Sequence, residues 1–355
     1  MKRAAAFAWR ERGWLLAFLL LLGIYLAISA WGAGSNLPPS PAMESFKQSE
    51  EAFKGTSFTP DFIRGWIKKS PAESLGFFLL SGLFALLFAA GCILNLLCAF
   101  KPGFRRRLWP PSAVSEKPWG AGMLLRVLVQ FLGAGLGINL IFALLARLLD
   151  SGIAAHGLLL THTLIVDALC VYFILRQVKQ TGNSWSDLGL RTPPGSSPVR
   201  EIFAGLSAYA CVIPWFVGLL LILTAIASLT HYEPEPHPLV EIFLEEEKKA
   251  PWLIYFSVFI GCIAGPFFEE IFFRGFAFPI FKRKFGLAWA LMISACFFAL
   301  IHKNEFAFLP IFLLGILLTL IYEKRGSLLS SYFVHFFHNT LFILYFWCVK
   351  SLIGH

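Results

Sequence analysis

The run LGFFLLSGLFALLFAAGCILNLLCAF, residues 75–100, contains no Asp, Glu, Lys, Arg or His. At 1.5 Å rise per residue, roughly 20 apolar residues cross the hydrocarbon core of a bilayer, so this stretch is long enough to span one. Eight further runs share its character, at 13–33, 121–146, 156–176, 202–229, 252–273, 287–302, 306–322 and 328–349. They are continuous rather than alternating, which argues for helices and against an outer-membrane barrel. The expected fold is all-α, a polytopic transmembrane bundle of about eight to nine spans. Composition agrees: 57% apolar side chains, 14% charged ones and a mean hydropathy of +0.69 are outside the range of ordinary soluble enzymes.

Basic residues orient the bundle. Lys2, Arg3, Arg10 and Arg12 precede the first run, which is long for a signal peptide and is read as a retained anchor. With alternating spans, Lys101, Arg105, Arg106, Arg107 and Lys117 fall on the same side as that N-terminus, as do Arg176, Lys179, Arg191, Arg200, Lys282, Arg283, Lys284, Lys324 and Arg325. That side is therefore cytoplasmic. The opposite loops, at 150–155 and 233–247, are poor in Lys and Arg or acidic, while the first outer loop is an exception with Lys47, Lys54, Arg64, Lys68 and Lys69. In that loop Pro38, Pro39 and Pro41 break the chain, and Thr59-Pro60-Asp61 opens an amphipathic segment with Phe62, Ile63, Trp66 and Ile67 on its apolar face. Ser70-Pro71-Ala72-Glu73 reads as a capping box that starts the next span. Because the formal charge of +9 is spread over such loops rather than gathered on a soluble face, no nucleic-acid partner is expected. The seven cysteines lie within the predicted spans without CxxC spacing and read as small buried hydrophobes. Three regions follow: 1–120, two spans and the outer loop; 121–251, middle helices with a cytoplasmic loop; and 252–350, which carries the polar motifs.

Those motifs are Glu269-Glu270-x-x-x-Arg274, Phe298-x-x-x-His302 and His335-x-x-x-Asn339. Ionisable groups at membrane depth are expensive, so a cluster of them marks a functional site by default. Adjacent glutamates on a helix point about 100° apart and cannot do the same job. Glu270 precedes Arg274 by four residues, the favourable order for an ion pair, which leaves Glu269 as the candidate base. Glu270 lies as far before Gly286 as His302 lies after it, so an antiparallel hairpin about Gly286 puts the two at one depth, with Pro279 as a source of kinking. Phe298, one turn before His302, shields the pocket, and His335 and Asn339 share one face of the last helix. His338 lies toward the side of that face.

A carboxylate, two histidines, an arginine and an asparagine in a dry site supply what amide hydrolysis needs: a base for water, a proton carrier and donors for an oxyanion. No serine or cysteine is placed to act as an activated nucleophile, neither Cys262 nor Cys296 having a histidine at helical spacing on its own face, and neither HExxH nor an aspartyl motif occurs, so water is the expected nucleophile. The three motifs, in this order and spacing, resemble those of the CAAX-protease and bacteriocin-processing (CPBP or Abi) family of intramembrane proteases, related to the type II CAAX prenyl endopeptidases. Leu188-Gly189-Leu190 in the preceding loop is similar to a segment common in that family. The resemblance covers about 252–350 plus that loop. It implies an integral, multi-pass membrane peptidase in which Glu269 and His302 activate the water. Glu270 and Arg274 would support them, and His335 with Asn339 would polarise the scissile carbonyl. It leaves two chemistries open, a catalytic zinc held by the glutamate and histidines or a metal-free, glutamate-activated water. The implied partners are membrane lipid and a peptide or small membrane-protein substrate, either a prenylated CAAX protein or, in a bacterial inner membrane, a leader peptide.

Other polar residues inside the spans belong to competing readings. Asn95, Arg126, Gln130, His162 and Asp167 could line a transport path, although two symmetric halves with broken helices are not seen. As single residues they serve equally as hydrogen bonds between helices, and the same cluster could sit in a catalytically silent scaffold.

Overall fold

The computed structural model describes residues 2–33, 41–54, 57–149, 152–232, 244 and 250–353. Pro38 and Pro39, the start of the loop at 150–155 and most of the acidic stretch at 233–247 lie outside the described residues. The N-terminal region forms α1 (Lys2–Arg10), α2 (Arg12–Ala33), α3 (Pro41–Lys54), α4 (Pro60–Lys69), α5 (Pro71–Phe100) and α6 (Pro102–Leu108). The middle region forms α7 (Ala121–Leu149), α8 (Gly152–Lys179), a short turn at Trp185–Leu188 and α9 (Pro198–Thr230). Then follow α10 (Pro251–Val258), α11 (Gly265–Glu270), α12 (Phe278–Ile301), α13 (Phe308–Arg325) and α14 (Leu328–Ile353). Every described element is helical.

Among the described residues, six helical stretches are long and apolar enough to cross a membrane: 71–100, 121–145, 156–179, 198–230, 251–301 and 328–353. They make the chain an integral, multi-pass membrane protein. The sequence runs number more for physical reasons. The first is represented by the shorter apolar helix Arg12–Ile28. The runs at 252–273 and 287–302 belong to one continuous stretch, 251–301, and α13 ends on the charged Glu323, Lys324 and Arg325.

That continuous stretch nevertheless folds back on itself. Gly286 has φ 78° and ψ 172°, a conformation essentially reserved for glycine, and there the chain reverses. Phe273 then packs against Phe297 and Phe298, with ring centroids 5.4 and 5.2 Å apart. The break is at Gly286 and not at Pro279, since Ala277 and Phe278 before the proline keep helical angles.

Helix α12 pairs with α13 and α7 with α8; α14 lies against α5 and α9, while α2 packs on α7. At one end, side-chain bonds tie together loops that carry the basic residues. Lys282 Nζ donates to both Glu323 oxygens at 2.7 and 2.9 Å, Lys117 pairs with Asp187 at 3.1 Å, and Arg325 Nε donates to Glu201 at 2.8 Å. The opposite end is closed by α4, whose Trp66 is buried and donates to Ser351 at 3.2 Å. Thr59 caps α4 by accepting from the Phe62 N–H at 3.2 Å, but Ser70 forms no capping box. Ser70 is also the last cap of α4, at φ −133° and ψ 68°, outside the extended geometry that N-capping uses.

Candidate active site

Two π-helical turns, Phe259–Ala264 and Ile271–Ala277, flank the single α-helical turn that carries Glu269 and Glu270. Such turns insert a residue into the helical ladder and occur often at functional sites. The first has a direct cause and a direct consequence. The Gly265 N–H bonds to the Ile260 carbonyl, and the next residue, Pro266, has no N–H. The Gly261 carbonyl is left without a donor from its own helix. Asn339 Nδ2 supplies one at 2.7 Å, so a helix break made by proline is repaired by the asparagine of the third motif.

Glu270 and Arg274 are paired as the i,i+4 spacing requires, with Arg274 Nη1 donating to Glu270 Oε1 at 2.9 Å, and both are buried. The guanidinium also lies over the Phe298 ring, 4.3 Å from its centroid. Glu270 Oε1 takes a second bond from His335 Nδ1 at 3.1 Å. A carboxylate held ionised by arginine can only accept, so Nδ1 carries the imidazole hydrogen and Nε2 is left as an acceptor. That Nε2 lies 3.7 Å from Glu269 Oε2. Two acceptors at this separation suit one water between them at the apex, with a hydrogen directed to each. Glu269 is 28% exposed against 1% for Glu270, so the two adjacent glutamates differ in access as well as in partners. Among the described residues, Glu269 Oε2, Glu270 Oε2, Arg274 Nε and Arg274 Nη2 are buried without a hydrogen-bond partner. Orphaned polar atoms on three neighbouring side chains are the mark of a site rather than of a packed core.

The structure therefore brings together Glu269, Glu270, Arg274 and His335, and it assigns the others differently. His302 does not bond either carboxylate; its Nδ1 is 2.7 Å from the Phe298 carbonyl, and its ring packs on Phe298 at 4.8 Å. Phe298 stands between the two histidines, with its ring 5.6 Å from that of His335. The histidine that meets both glutamates is His335. Asn339 reaches Gly261, a contact legible only through Pro266. His338 turns away toward α9, where its Nδ1 meets the Tyr209 hydroxyl at 2.9 Å.

Donors for a metal do not gather here. No three His, Cys, Asp or Glu side chains among the described residues form a ligand set. This arrangement does not fit a catalytic zinc, which needs three such ligands and an open position. The seven cysteines are unpaired. Elsewhere Asn95 bonds the Gly91 and Cys211 carbonyls, His162 meets the Gly135 carbonyl and Arg126 Nη2 donates to Glu11, while Arg126 Nε and Gln130 Oε1 are buried without a partner.

The floor of the site comes from the loop between α8 and α9. The carbonyl of Leu188 lies 2.8 Å from where a Cβ would stand on Gly275, so only glycine permits this approach. Tyr322 donates to the same carbonyl at 3.2 Å, and the Leu328 N–H donates to the Gly189 carbonyl at 2.9 Å.

Residues 251–341 match the family model described as type II CAAX prenyl endopeptidase, Rce1-like. Glu269, Glu270, Arg274, His302, His335 and Asn339 all lie inside this segment. No curated protein and no solved structure matches the chain.

Proposed function

We propose that the protein is an intramembrane endopeptidase in which Glu269 and His335 activate a water for attack on a peptide bond. The observation that carries this reading is the pair of acceptors, Glu269 Oε2 and Nε2 of His335, 3.7 Å apart on a histidine fixed from behind by Glu270 and Arg274. Glu269 takes one proton of the water as the hydroxide oxygen bonds to the carbonyl carbon. Nε2 of His335 takes that proton from Glu269 and delivers it to the amine nitrogen as the C–N bond breaks and the oxyanion collapses to the carbonyl, the transient imidazolium being stabilised by the buried Glu270. Arg274 Nε and Nη2, which have no partner, and the second amide hydrogen of Asn339 are the donors nearest in role to an oxyanion hole. His302 shapes the wall through Phe298. The family match supports peptide substrates, and the membrane setting favours ones that are lipid-bound: a prenylated CAAX peptide or a membrane-anchored leader peptide. The basic loops, read as lying inside, favour a site in an inner membrane that opens toward the cytoplasm.

The experiment uses the purified full chain in lipid nanodiscs with an internally quenched farnesylated CAAX peptide and, in parallel, a membrane-anchored leader peptide. Cleavage of either by wild type, with folded Glu269→Gln reduced at least about a hundredfold, is the expected result. Cleavage that persists in Glu269→Gln would remove Glu269 from its role.

A further inference from the structure

Helix α5 ends where Lys101 precedes Pro102: its φ of −123° and ψ of 89° leave the helical region, and α6 starts afresh on the proline. The short helix lies against α5 and α9. Phe104 and Leu108, four residues apart, are half-buried on one face, and Trp109 packs against the core that holds Tyr209, Ile321 and Val334. That seating leaves Arg105, Arg106 and Arg107 exposed, together with Lys101 at the junction.

No carboxylate of the fold answers these cations. Among the described residues, none of the four side chains makes a hydrogen bond or an ion pair. Between Glu73 and Glu116 the chain has no Asp or Glu. Carboxylates on neighbouring segments are already taken, Glu201 by Arg325, Asp187 by Lys117 and Glu323 by Lys282. The cations that hold this end of the bundle together are thus bonded, and the four on 101–107 are set apart from them. The chain just before them faces lipid: Ile93, Leu96 and Phe100, at spacings of three and four, are exposed on one face of the last turns of a membrane-length helix. Surface for acyl chains is therefore followed directly by cations placed for headgroups, and the planar arginine fork matches a phosphate diester.

We propose that Lys101 and α6 form a docking surface for the headgroups of anionic phospholipids in the leaflet at this end of the bundle. Residues 109–120 continue directly from α6 and are bonded to Glu323, Lys282 and Arg283, so headgroups that hold α6 also brace this segment. The inference stands apart from the peptidase reading and needs no turnover to be tested.

The test uses the purified full chain. Native mass spectrometry measures retention of phosphatidylglycerol and of phosphatidylcholine by wild type, by the triple variant Arg105→Gln, Arg106→Gln, Arg107→Gln, and by the corresponding lysine triple. Wild type is expected to retain phosphatidylglycerol in preference, less so as salt rises. The glutamine triple should weaken phosphatidylglycerol about tenfold or more, since each cation near an anionic surface contributes severalfold, with phosphatidylcholine unchanged. The lysine triple, which keeps the charge, should stay within a few-fold of wild type. In nanodiscs, adding phosphatidylglycerol to phosphatidylcholine should slow cutting of the 109–120 segment severalfold in wild type and not in the glutamine triple, with a protease that does not cleave at arginine or lysine. Equal retention of the two lipids by wild type, or phosphatidylglycerol retained undiminished by the glutamine triple, would overturn the docking surface. Protection by a soluble acidic peptide where phosphatidylglycerol gives none would assign the patch to a protein partner instead and overturn it equally. If the glutamine triple does not insert, the lipid preference of wild type and its salt dependence still decide.

Discussion

Replacing Arg274 by alanine would leave the Glu270 carboxylate buried without its permanent cation and strip the cation from the Phe298 face. Removing one member of a buried ion pair typically costs about 3–5 kcal/mol, because the survivor is stranded in low dielectric. Arg274→Ala is therefore expected to lower thermal stability and yield, whereas Glu269→Gln, at the more exposed carboxylate, should leave both near wild type and remove cleavage. Thermal unfolding of the two variants in the same detergent, beside their turnover, checks this division; equal destabilisation would contradict it. The proton path makes a separate forecast. Since the donors do not gather around a metal, a sample verified as metal-depleted should retain turnover. Stoichiometric zinc that disappears together with activity in His335→Ala would defeat the glutamate-water reading.

At the scale of elements, Pro266 and Asn339 are two halves of one device. Proline removes the N–H that could have served Gly261, and the asparagine amide replaces it from α14. Leaving that carbonyl unpaired should cost about 1–3 kcal/mol in Asn339→Ala. Pro266→Ala restores an N–H on the helix itself, so the loss on adding Asn339→Ala should be smaller in the alanine background. Unfolding measurements around this double-mutant cycle test the coupling, and strict additivity would sever it. The hairpin gives a second case. Gly286→Ala places a Cβ at φ 78° in open space, so strain rather than collision decides the outcome, at about 1–3 kcal/mol with loss of the Phe273–Phe298 register. This hairpin was legible in the sequence, since equal spacing about one glycine is plain arithmetic, and so was the Glu270–Arg274 pair, since helical periodicity dictates it. The π turns were not. An inserted residue leaves the apolar pattern unchanged, yet it shifts the phase of every side chain that follows. Nor was the choice of histidine legible: His335 rather than His302 meets the carboxylates, although both sit at sensible depths. The span count diverged for a related reason: hydropathy registers length, and it is blind to whether 251–301 is crossed once or folded in two.

Across the whole molecule, the matched segment depends on chain that lies before it. The loop between α6 and α7 is strapped under the site: the Ala113 N–H donates to the Glu323 carbonyl at 2.8 Å, Lys282 donates to the Val114 carbonyl at 3.1 Å, and Arg283 donates to the Lys117 and Trp119 carbonyls at 3.1 and 3.3 Å. Lys117 in turn joins this strap to the Trp185–Leu188 turn through Asp187. The backbone N–H of Ser184, then Lys117, hold the Asp187 carboxyl below the usual carboxylate range. A carboxyl whose pKa falls on folding adds stability above its unfolded value, near pH 3.9, and that contribution is lost as pH falls through the folded value. The link between strap and turn should therefore persist at neutral pH and weaken on acidification below about pH 4. In Asp187→Asn both the ionic bond and its acid sensitivity disappear, so the 109–120 segment should be cut faster by a protease at neutral pH. An acid-tolerant protease that cuts wild type increasingly as pH drops, but cuts the asparagine variant at a pH-independent excess, gives the expected pattern. Identical cleavage of the two proteins at neutral pH would mean that the strap is held by its backbone bonds to Lys282 and Arg283, and that Asp187 adds nothing to the floor of the site.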